Sequence, residues 1–195
     1  MINNIVIIIY LIIVMVYLKI IIGSMFSGKS TELLRLFENS CSKKLLINHS
    51  LDERYNKNAV TTHDNQSISA VSVSKLNNIF DFENYNIDDY EDIFIDEAQF
   101  FEDLYDSVVK MMNLDKNIYL AGLDGDYKKE LFGNGDLMKL VPYCNDIIKL
   151  KAKCYKCGAD ASYTFKINRN NLGQIQVGTN VDYQPTCFKH HVLLT

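Results

Sequence analysis

The chain has 195 residues, of which 48% are apolar and 11% aromatic, with 24 acidic side chains against 20 basic ones. Disordered chains combine few aliphatic residues with a high net charge, so this composition indicates a folded protein. The length suits one main domain with a small appendage. A formal net charge of −4 argues against a protein that binds nucleic acid mainly by electrostatic attraction, and we predict no nucleic acid partner.

The chain begins with an apolar run from residue 5 to residue 22 that only Lys19 interrupts. A membrane-spanning helix needs about 20 apolar residues, so this run is short for an anchor. Residues 16–22 must also supply a buried strand that leads into the loop at Gly23. We predict that residues 1–14 are a dispensable extension, with a membrane anchor and an extra packed segment as the alternatives.

Strands and helices are predicted to alternate along the rest of the chain. Apolar residues at helical spacing predict helices from residue 29 to about residue 41 and from 103 to 114. Apolar runs and alternating patterns predict further strands at 45–47, 68–73, 92–96, 118–121 and 147–150, and Ser74 is a candidate cap for a short helix. This alternation predicts an α/β fold with three layers around a parallel central sheet.

A phosphate-binding motif lies between the first strand and the first helix. Residues 23–30 read Gly-Ser-Met-Phe-Ser-Gly-Lys-Ser, which matches G-x-x-x-x-G-K-[ST]. In this motif backbone N–H groups surround a phosphate at the helix N-terminus, Lys29 reaches the β and γ oxygens, and the Ser30 hydroxyl ligates Mg²⁺. The sequence therefore predicts a P-loop nucleotide site.

Two carboxylates follow a buried strand and complete this site. Asp96 and Glu97 come directly after the run Ile93-Phe94-Ile95, which we place on a strand neighbouring the loop. Asp96 is predicted to hold Mg²⁺, and Glu97 to act as general base toward a hydroxyl or a water. No Asn-Lys-x-Asp motif for reading guanine occurs in the sequence, which disfavours a GTPase.

The C-terminal region carries two pairs of metal-ligand residues. Cys154 and Cys157 form one pair, and Cys187 and His190 form the other, with 29 residues between the pairs. Three cysteines and one histidine suit tetrahedral Zn²⁺ in a closed, structural site. The long insert predicts a projecting loop or hairpin, and His191 is the rival fourth ligand.

Cysteine usage also bears on the compartment. The five cysteines are an odd number, and three of them lie in the last 45 residues, which is more typical of a metal site than of a disulfide framework. This indicates a reducing compartment, and we predict a cytoplasmic protein. Cys41 and Cys144 have no ligand partners in the sequence and are predicted to be buried, unligated thiols.

Taken together, the motifs resemble type II thymidine kinase. The resemblance rests on the phosphate loop through Thr31, on Asp52-Glu-Arg54-Tyr with Thr62-His-Asp64, on Asp96-Glu-Ala-Gln99-Phe-Phe101, on Leu123-Asp-Gly125 with Phe132-Gly133, and on the two metal-ligand pairs. It runs in the family's order from about residue 16 to residue 190. It implies transfer of the ATP γ-phosphoryl group to the 5′-hydroxyl of thymidine by a RecA-like domain that carries a small zinc-binding lasso domain.

The resemblance also implies a role for individual residues. Glu97 would be the base, with Lys29, Arg54 and Mg²⁺ neutralising charge and Asp52 lying near the phosphates. The phosphate-binding residues would be Gly23, Ser24, Met25, Phe26, Ser27, Gly28, Lys29, Ser30, Thr31 and Asp52. The nucleoside would be enclosed by Met25, Phe100, Leu123, Tyr127, Phe132 and Tyr183, with lasso backbone groups at Gln176, Val177 and Gly178 reading the thymine edge.

The resemblance also implies domain boundaries and partners, and two alternative functions stand against it. Residues 15–150 would form the kinase domain and 151–195 the lasso domain. The family implies a homotetramer and feedback inhibition by thymidine triphosphate. The sequence departs from the family at Ser24 in place of Pro, Tyr127 in place of Phe, Lys166 in place of Arg, and in lacking a double Gly near residue 178. The alternative enzyme is an ATPase with a zinc-stabilised knob for a protein partner; a non-catalytic, membrane-tethered protein is the other.

Overall fold

The computed structural model describes residues 16–51, 59–61, 67–81, 86–167 and 182–194. The predicted N-terminal extension, Asp52, Arg54 and the lasso residues 176–178 lie outside these ranges. In the described part of the chain, no helix has the length and apolar character needed to cross a membrane.

Twelve strands and four α-helices occur in the described ranges. The strands are β1 (Leu18–Gly23), β2 (Lys44–His49), β3 (Ala59–Thr61), β4 (Ser67–Ser69), β5 (Val71–Val73), β6 (Asp92–Ile95), β7 (Asn117–Leu123), β8 (Asp146–Leu150), β9 (Ala152–Lys153), β10 (Asp160–Ala161), β11 (Tyr163–Lys166) and β12 (Tyr183–Thr186). The helices are α1 (Lys29–Asn39), α2 (Leu104–Asn113), α3 (Asp136–Lys139) and α4 (Phe188–Leu194). Short 3₁₀ helices occupy Leu76–Phe80, Ile87–Asp89, Ala98–Phe100 and Val141–Tyr143.

Six strands form one parallel sheet in the order β5-β2-β6-β7-β1-β8. Both faces are covered, as the continuous apolar runs of the sequence predict. Leu18, Ile20 and Ile22 of β1 belong to the core on the α2 side, whereas Ile21 belongs to the core on the α1 side. The prediction of a three-layer α/β fold with a parallel sheet is therefore confirmed.

The strand order corrects one expectation about the site. We placed the acid pair on a strand neighbouring the phosphate loop, but β7 lies between β1 and β6. The carboxyl ends of all three strands still meet at the same edge of the sheet, because the strands are parallel. The first turn of α1 extends from the loop and spans the remaining gap, as the contact between Ser30 and Asp96 described below shows.

Three local predictions were wrong. The predicted strand at 68–73 is two short strands, with β4 paired antiparallel to β3 and β5 at the edge of the main sheet. Ser74 does not cap the helix that follows it, because the Asp103 carboxylate accepts hydrogen bonds from the N–H groups of Leu76 at 3.1 Å and Asn77 at 2.8 Å. Cys41 is exposed rather than buried.

The metal segment, defined as residues 151–167 and 182–194, follows β8 directly. It contains two small antiparallel pairs, β9 with β10 and β11 with β12. The last pair in the second ladder is Lys166 with Tyr183, so the two ends of the insert between the cysteine pairs are the arms of a hairpin. This antiparallel pairing agrees with the predicted hairpin, and residues 168–181 of the insert lie outside the described ranges.

Candidate active site and metal centre

The phosphate loop occupies the turn between β1 and α1. Gly28 caps α1 with φ of 85°, and Gly23 has φ of 153°, both in the region that favours glycine. A Cβ atom at Gly23 would lie 2.5 Å from the Leu150 carbonyl oxygen and 2.7 Å from Ser27 Oγ. Position 23 therefore has no room for a side chain, because β1 lies close to Leu150 of β8 where the phosphate loop begins.

Two polar groups of the loop point to a phosphate ligand. Lys29 Nζ donates a hydrogen bond of 2.9 Å to the Ser24 carbonyl, which holds the ammonium group over the loop. Ser27 Oγ is buried and has no hydrogen-bond partner in the described part of the chain. A buried hydroxyl without a partner is costly, and a phosphoryl oxygen at the N-terminus of α1 is an acceptor that suits it.

Asp96 lies next to Ser30 at the carboxyl edge of the sheet. Its side chain is buried, with the residue 4% exposed, and Ser30 forms a hydrogen bond to its carboxylate. Burial and the neighbouring charge of Glu97 raise the pKa of Asp96 to about 7, although Ser30 and Lys29 oppose the shift. The hydroxyl and carboxylate predicted to hold Mg²⁺ are therefore adjacent, and an added cation would relieve the cost of the buried charge.

Asp96→Asn is expected to stabilise the metal-free protein in a pH-dependent way. The raised pKa means that folding disfavours the ionised carboxyl, so this penalty is absent below about pH 4 and grows until the pH passes about 7. Removing the charge should raise the free energy of unfolding at pH 8 by about 1–4 kcal/mol, and by less at pH 5. Urea unfolding at the two pH values measures the difference. The control Asp88→Asn removes an exposed carboxyl and should not raise the free energy of unfolding at pH 8. An equal gain at both pH values for Asp96→Asn would contradict the explanation.

Glu97 is held in place by Gln99. Gln99 Nε2 donates a hydrogen bond of 2.6 Å to Glu97 Oε2, while Gln99 Oε1 accepts one of 2.9 Å from the Leu123 N–H at the end of β7. Glu97 itself has φ of 50°, an uncommon conformation for a residue with a side chain. Strained residues of this kind persist where surrounding contacts fix them, often at active sites.

The role of Gln99 requires glycine at position 122. A Cβ atom there would lie 2.8 Å from Gln99 Oε1 and 2.7 Å from a methyl group of Leu137. Gly122 thus leaves room for the Gln99 amide against β7. Sequence reasoning assigned no role to Gln99 or Gly122; the only signal for Gln99 was its place in the run Asp96-Glu-Ala-Gln.

A cavity of about 350 Å³ opens beside these residues. Three of the six side chains predicted to enclose the nucleoside line it, namely Phe100, Leu123 and Phe132. The rings of Phe100 and Phe132 meet edge to face with centroids 6.0 Å apart. Gln99 lines the same cavity, so the group that positions Glu97 also faces the space in which a small substrate would lie.

The other predicted pocket residues lie apart from this cavity's lining. Met25 belongs to the phosphate loop, where its N–H bonds the metal segment. Tyr127 and Tyr183 are joined through Lys166, whose Nζ lies 5.0 Å and 5.7 Å from the centroids of the two rings. Lys166 is only 3% exposed, so its ammonium group is buried beside two aromatic rings.

Four side chains of the metal segment converge as the sequence predicts. The donor atoms of Cys154, Cys157, Cys187 and His190 all lie within 4.8 Å of one another. Cys157 Sγ is 3.9 Å from Cys187 Sγ, and His190 Nδ1 is 3.5 Å from Cys154 Sγ and 3.4 Å from Cys187 Sγ.

These separations fit tetrahedral zinc. Zn–S bonds of about 2.3 Å and Zn–N bonds of about 2.0 Å place two sulfurs about 3.8 Å apart, and a sulfur and a nitrogen about 3.5 Å apart. Burial raises the pKa of Cys154, but N–H groups of Cys187, Lys156 and Cys157 and the His190 side chain outweigh it and lower the pKa to about 6. A thiol that ionises readily is suited to bind a cation.

The structure also separates His190 from its rival. His191 is 1% exposed, and its Nδ1 lies 3.2 Å from Thr186 Oγ1 rather than in the cysteine cluster. Its ring packs 5.2 Å from that of Tyr163, centroid to centroid. His191 is therefore a core residue of the metal segment, while Cys144, half-buried and donating to the Val141 carbonyl at 3.1 Å, lies outside the cluster.

The fold and site define a P-loop nucleotide-binding protein, with a phosphate loop after β1, an acid pair after β6 and a cavity beside them. Residues 16–191 match the sequence profile of the family described as thymidine kinase. The chain belongs to the thymidine kinase family, and it is a phosphotransferase of that family.

Three thymidine kinases are similar in sequence to almost the whole of this chain. A thymidine kinase of Yaba monkey tumor virus is 39% identical over 174 residues, which cover 88% of this chain and 92% of the relative. A thymidine kinase of Sheeppox virus is 35% identical over 180 residues, covering 91% and 97%. Thymidine kinase a of Arabidopsis thaliana is 37% identical over 180 residues, covering 89% and 74%.

Proposed function

We propose that this chain transfers the γ-phosphoryl group of ATP to the 5′-hydroxyl of thymidine. The observation that carries the proposal is the hydrogen bond to Glu97 from Gln99, which lines a cavity of about 350 Å³. Glu97 also adjoins Asp96, whose carboxylate bonds Ser30 of the phosphate loop. The relatives bearing the name thymidine kinase support the choice of nucleoside.

In the reaction the 5′-oxygen forms a bond to the γ-phosphorus while the bond from that phosphorus to the β–γ bridging oxygen breaks, which leaves ADP. The proton of the 5′-hydroxyl passes to the Glu97 carboxylate. Lys29 and the N–H groups at the start of α1 stabilise the negative charge of the transferring phosphoryl group.

Ser30 and Asp96 are the residues that would hold Mg²⁺, which neutralises phosphate charge when bound. Asp52 and Arg54 are proposed to act near the phosphates, and Met25, Tyr127, Tyr183 and the backbone at 176–178 to complete the nucleoside site. Cys154, Cys157, Cys187 and His190 are proposed to bind a structural Zn²⁺. We further propose a cytoplasmic homotetramer that thymidine triphosphate inhibits, as the family resemblance implies.

The direct test measures ADP and thymidine monophosphate in the same reaction with ATP and Mg²⁺. ADP formation is expected to require thymidine and to match the monophosphate one to one, and deoxycytidine in place of thymidine should support less. ADP formed equally with no nucleoside present would contradict the proposal and favour an ATPase in which Glu97 orients water.

A further inference from the structure

The phosphate loop is bound to the metal segment as well as to its own strand and helix. Ser24 Oγ donates a hydrogen bond of 3.2 Å to the Ala161 carbonyl, and both residues are buried. The Met25 N–H donates one of 3.1 Å to Thr164 Oγ1, whose residue is 6% exposed. Two successive loop residues are thus fixed by partners that lie 137 and 139 positions further along the chain.

Phe26 makes the third contact and brings the loop against the core that contains the metal ligand Cys154. Its side chain packs on the small core of the metal segment, which consists of Ala152, Cys154 and Ala161, and Cys187 packs on the same core. Phe26 has φ of 65°, a conformation that is unfavourable for a bulky side chain. Such a conformation persists only where its surroundings hold it, and here the surroundings include the core that contains Cys154.

We propose that Phe26 is a positioning residue that couples nucleotide binding at the phosphate loop to metal binding at the cysteine cluster. A bound Zn²⁺ fixes Cys154 and Cys187, and these hold the apolar core on which Phe26 packs. Phe26 in turn keeps the loop in the conformation that receives phosphate. The coupling rests on the proposed function, since it requires that the loop bind a nucleotide.

Linkage makes the coupling reciprocal. If zinc raises the affinity for nucleotide by some factor, the nucleotide must raise the affinity for zinc by the same factor. Couplings between protein sites are typically about 5-fold to 150-fold. The loop and the metal segment are joined by one side-chain contact and two hydrogen bonds. We therefore expect zinc and nucleotide to raise each other's affinity by a factor near the lower end of this range, about 5-fold to 20-fold.

The experiment measures zinc affinity of the full chain by competition with a chromophoric chelator, with and without saturating ADP and Mg²⁺. ADP is expected to tighten zinc binding about 5-fold or more. Calorimetric titration of ADP into the zinc-loaded protein runs alongside. If ADP binds but zinc affinity is unchanged, the coupling is wrong while the proposed function stands; if ADP does not bind, both are wrong.

Two variants assign the coupling to Phe26. Phe26→Ala should lower the factor markedly, because only the hydrogen bonds of Ser24 and Met25 then join the loop to the metal segment. Phe26→Leu, which keeps an apolar side chain, should recover most of the factor. The matched control is Phe188→Ala, which truncates an exposed aromatic residue adjacent to Cys187 but outside the phosphate loop, and should keep the full factor. A full factor in Phe26→Ala, or its loss in Phe188→Ala, would refute the role given to Phe26.

Discussion

Replacing Glu97 with Gln is expected to lower kcat by about 10²-fold to 10⁴-fold while the affinity for ATP is kept. An amide cannot accept the proton of the attacking hydroxyl at neutral pH. The shape of the side chain is unchanged, and its amide oxygen can still accept the hydrogen bond from Gln99 Nε2. The loss is therefore expected in the chemical step and not in the structure of the site.

Single-turnover formation of thymidine monophosphate, with ATP binding measured by calorimetry, checks this prediction. The control Glu91→Gln alters an exposed carboxylate just before β6, at the end of that strand away from Glu97, and should leave kcat unchanged. If Glu97→Gln turns over at the normal rate, Glu97 is not the base and the roles assigned around Gln99 fail with it.

The sheet and the phosphate loop were predictable from local sequence. A parallel strand buried on both faces must be apolar at nearly all successive positions, so β1 and β6 are visible as apolar runs, which only Lys19 interrupts in β1. The loop motif is equally local, because its glycines are required by the backbone conformation of the loop itself. The cysteine cluster was predictable because spacing within each pair sets which donors can share one ion.

Contacts between distant parts of the chain were not predictable in this way. Gln99 bonds the Leu123 N–H only because β6 and β7 are neighbouring strands. The order of strands in a sheet cannot be predicted from the sequence of any single strand. The cap supplied by Asp103 to the helix at 76–80 is of the same kind. The burial of Cys41 was predicted wrongly because nothing in the neighbouring sequence indicates whether an unligated cysteine is buried or exposed.

Removing one metal ligand is the other change with a large expected effect. Cys157→Ser should abolish stoichiometric zinc binding and unfold the metal segment, while the six-stranded sheet stays folded. The reason lies in how little apolar packing holds the segment together: two two-stranded sheets, one short helix and an apolar cluster of three buried residues, with a few further buried side chains such as Tyr183 and His191. Isolated two-stranded sheets are marginal in water, whereas structural zinc sites contribute about 10–16 kcal/mol in small domains.

Zinc content by atomic spectroscopy and amide hydrogen exchange of the purified variant test this together. Exchange should become fast in β9, β10, β11 and β12 and stay slow in β1, β6 and β7, because the core of the main sheet is built from its own strands and helices. The matched control Cys41→Ser changes an exposed thiol outside the cluster and should keep both zinc and protection. Stoichiometric zinc in Cys157→Ser would show that the ligand set is wrong. Loss of protection throughout the main sheet would show instead that the metal segment and the sheet unfold as one unit, in which case the contacts of Ser24, Met25 and Phe26 stabilise the whole chain and not the phosphate loop alone.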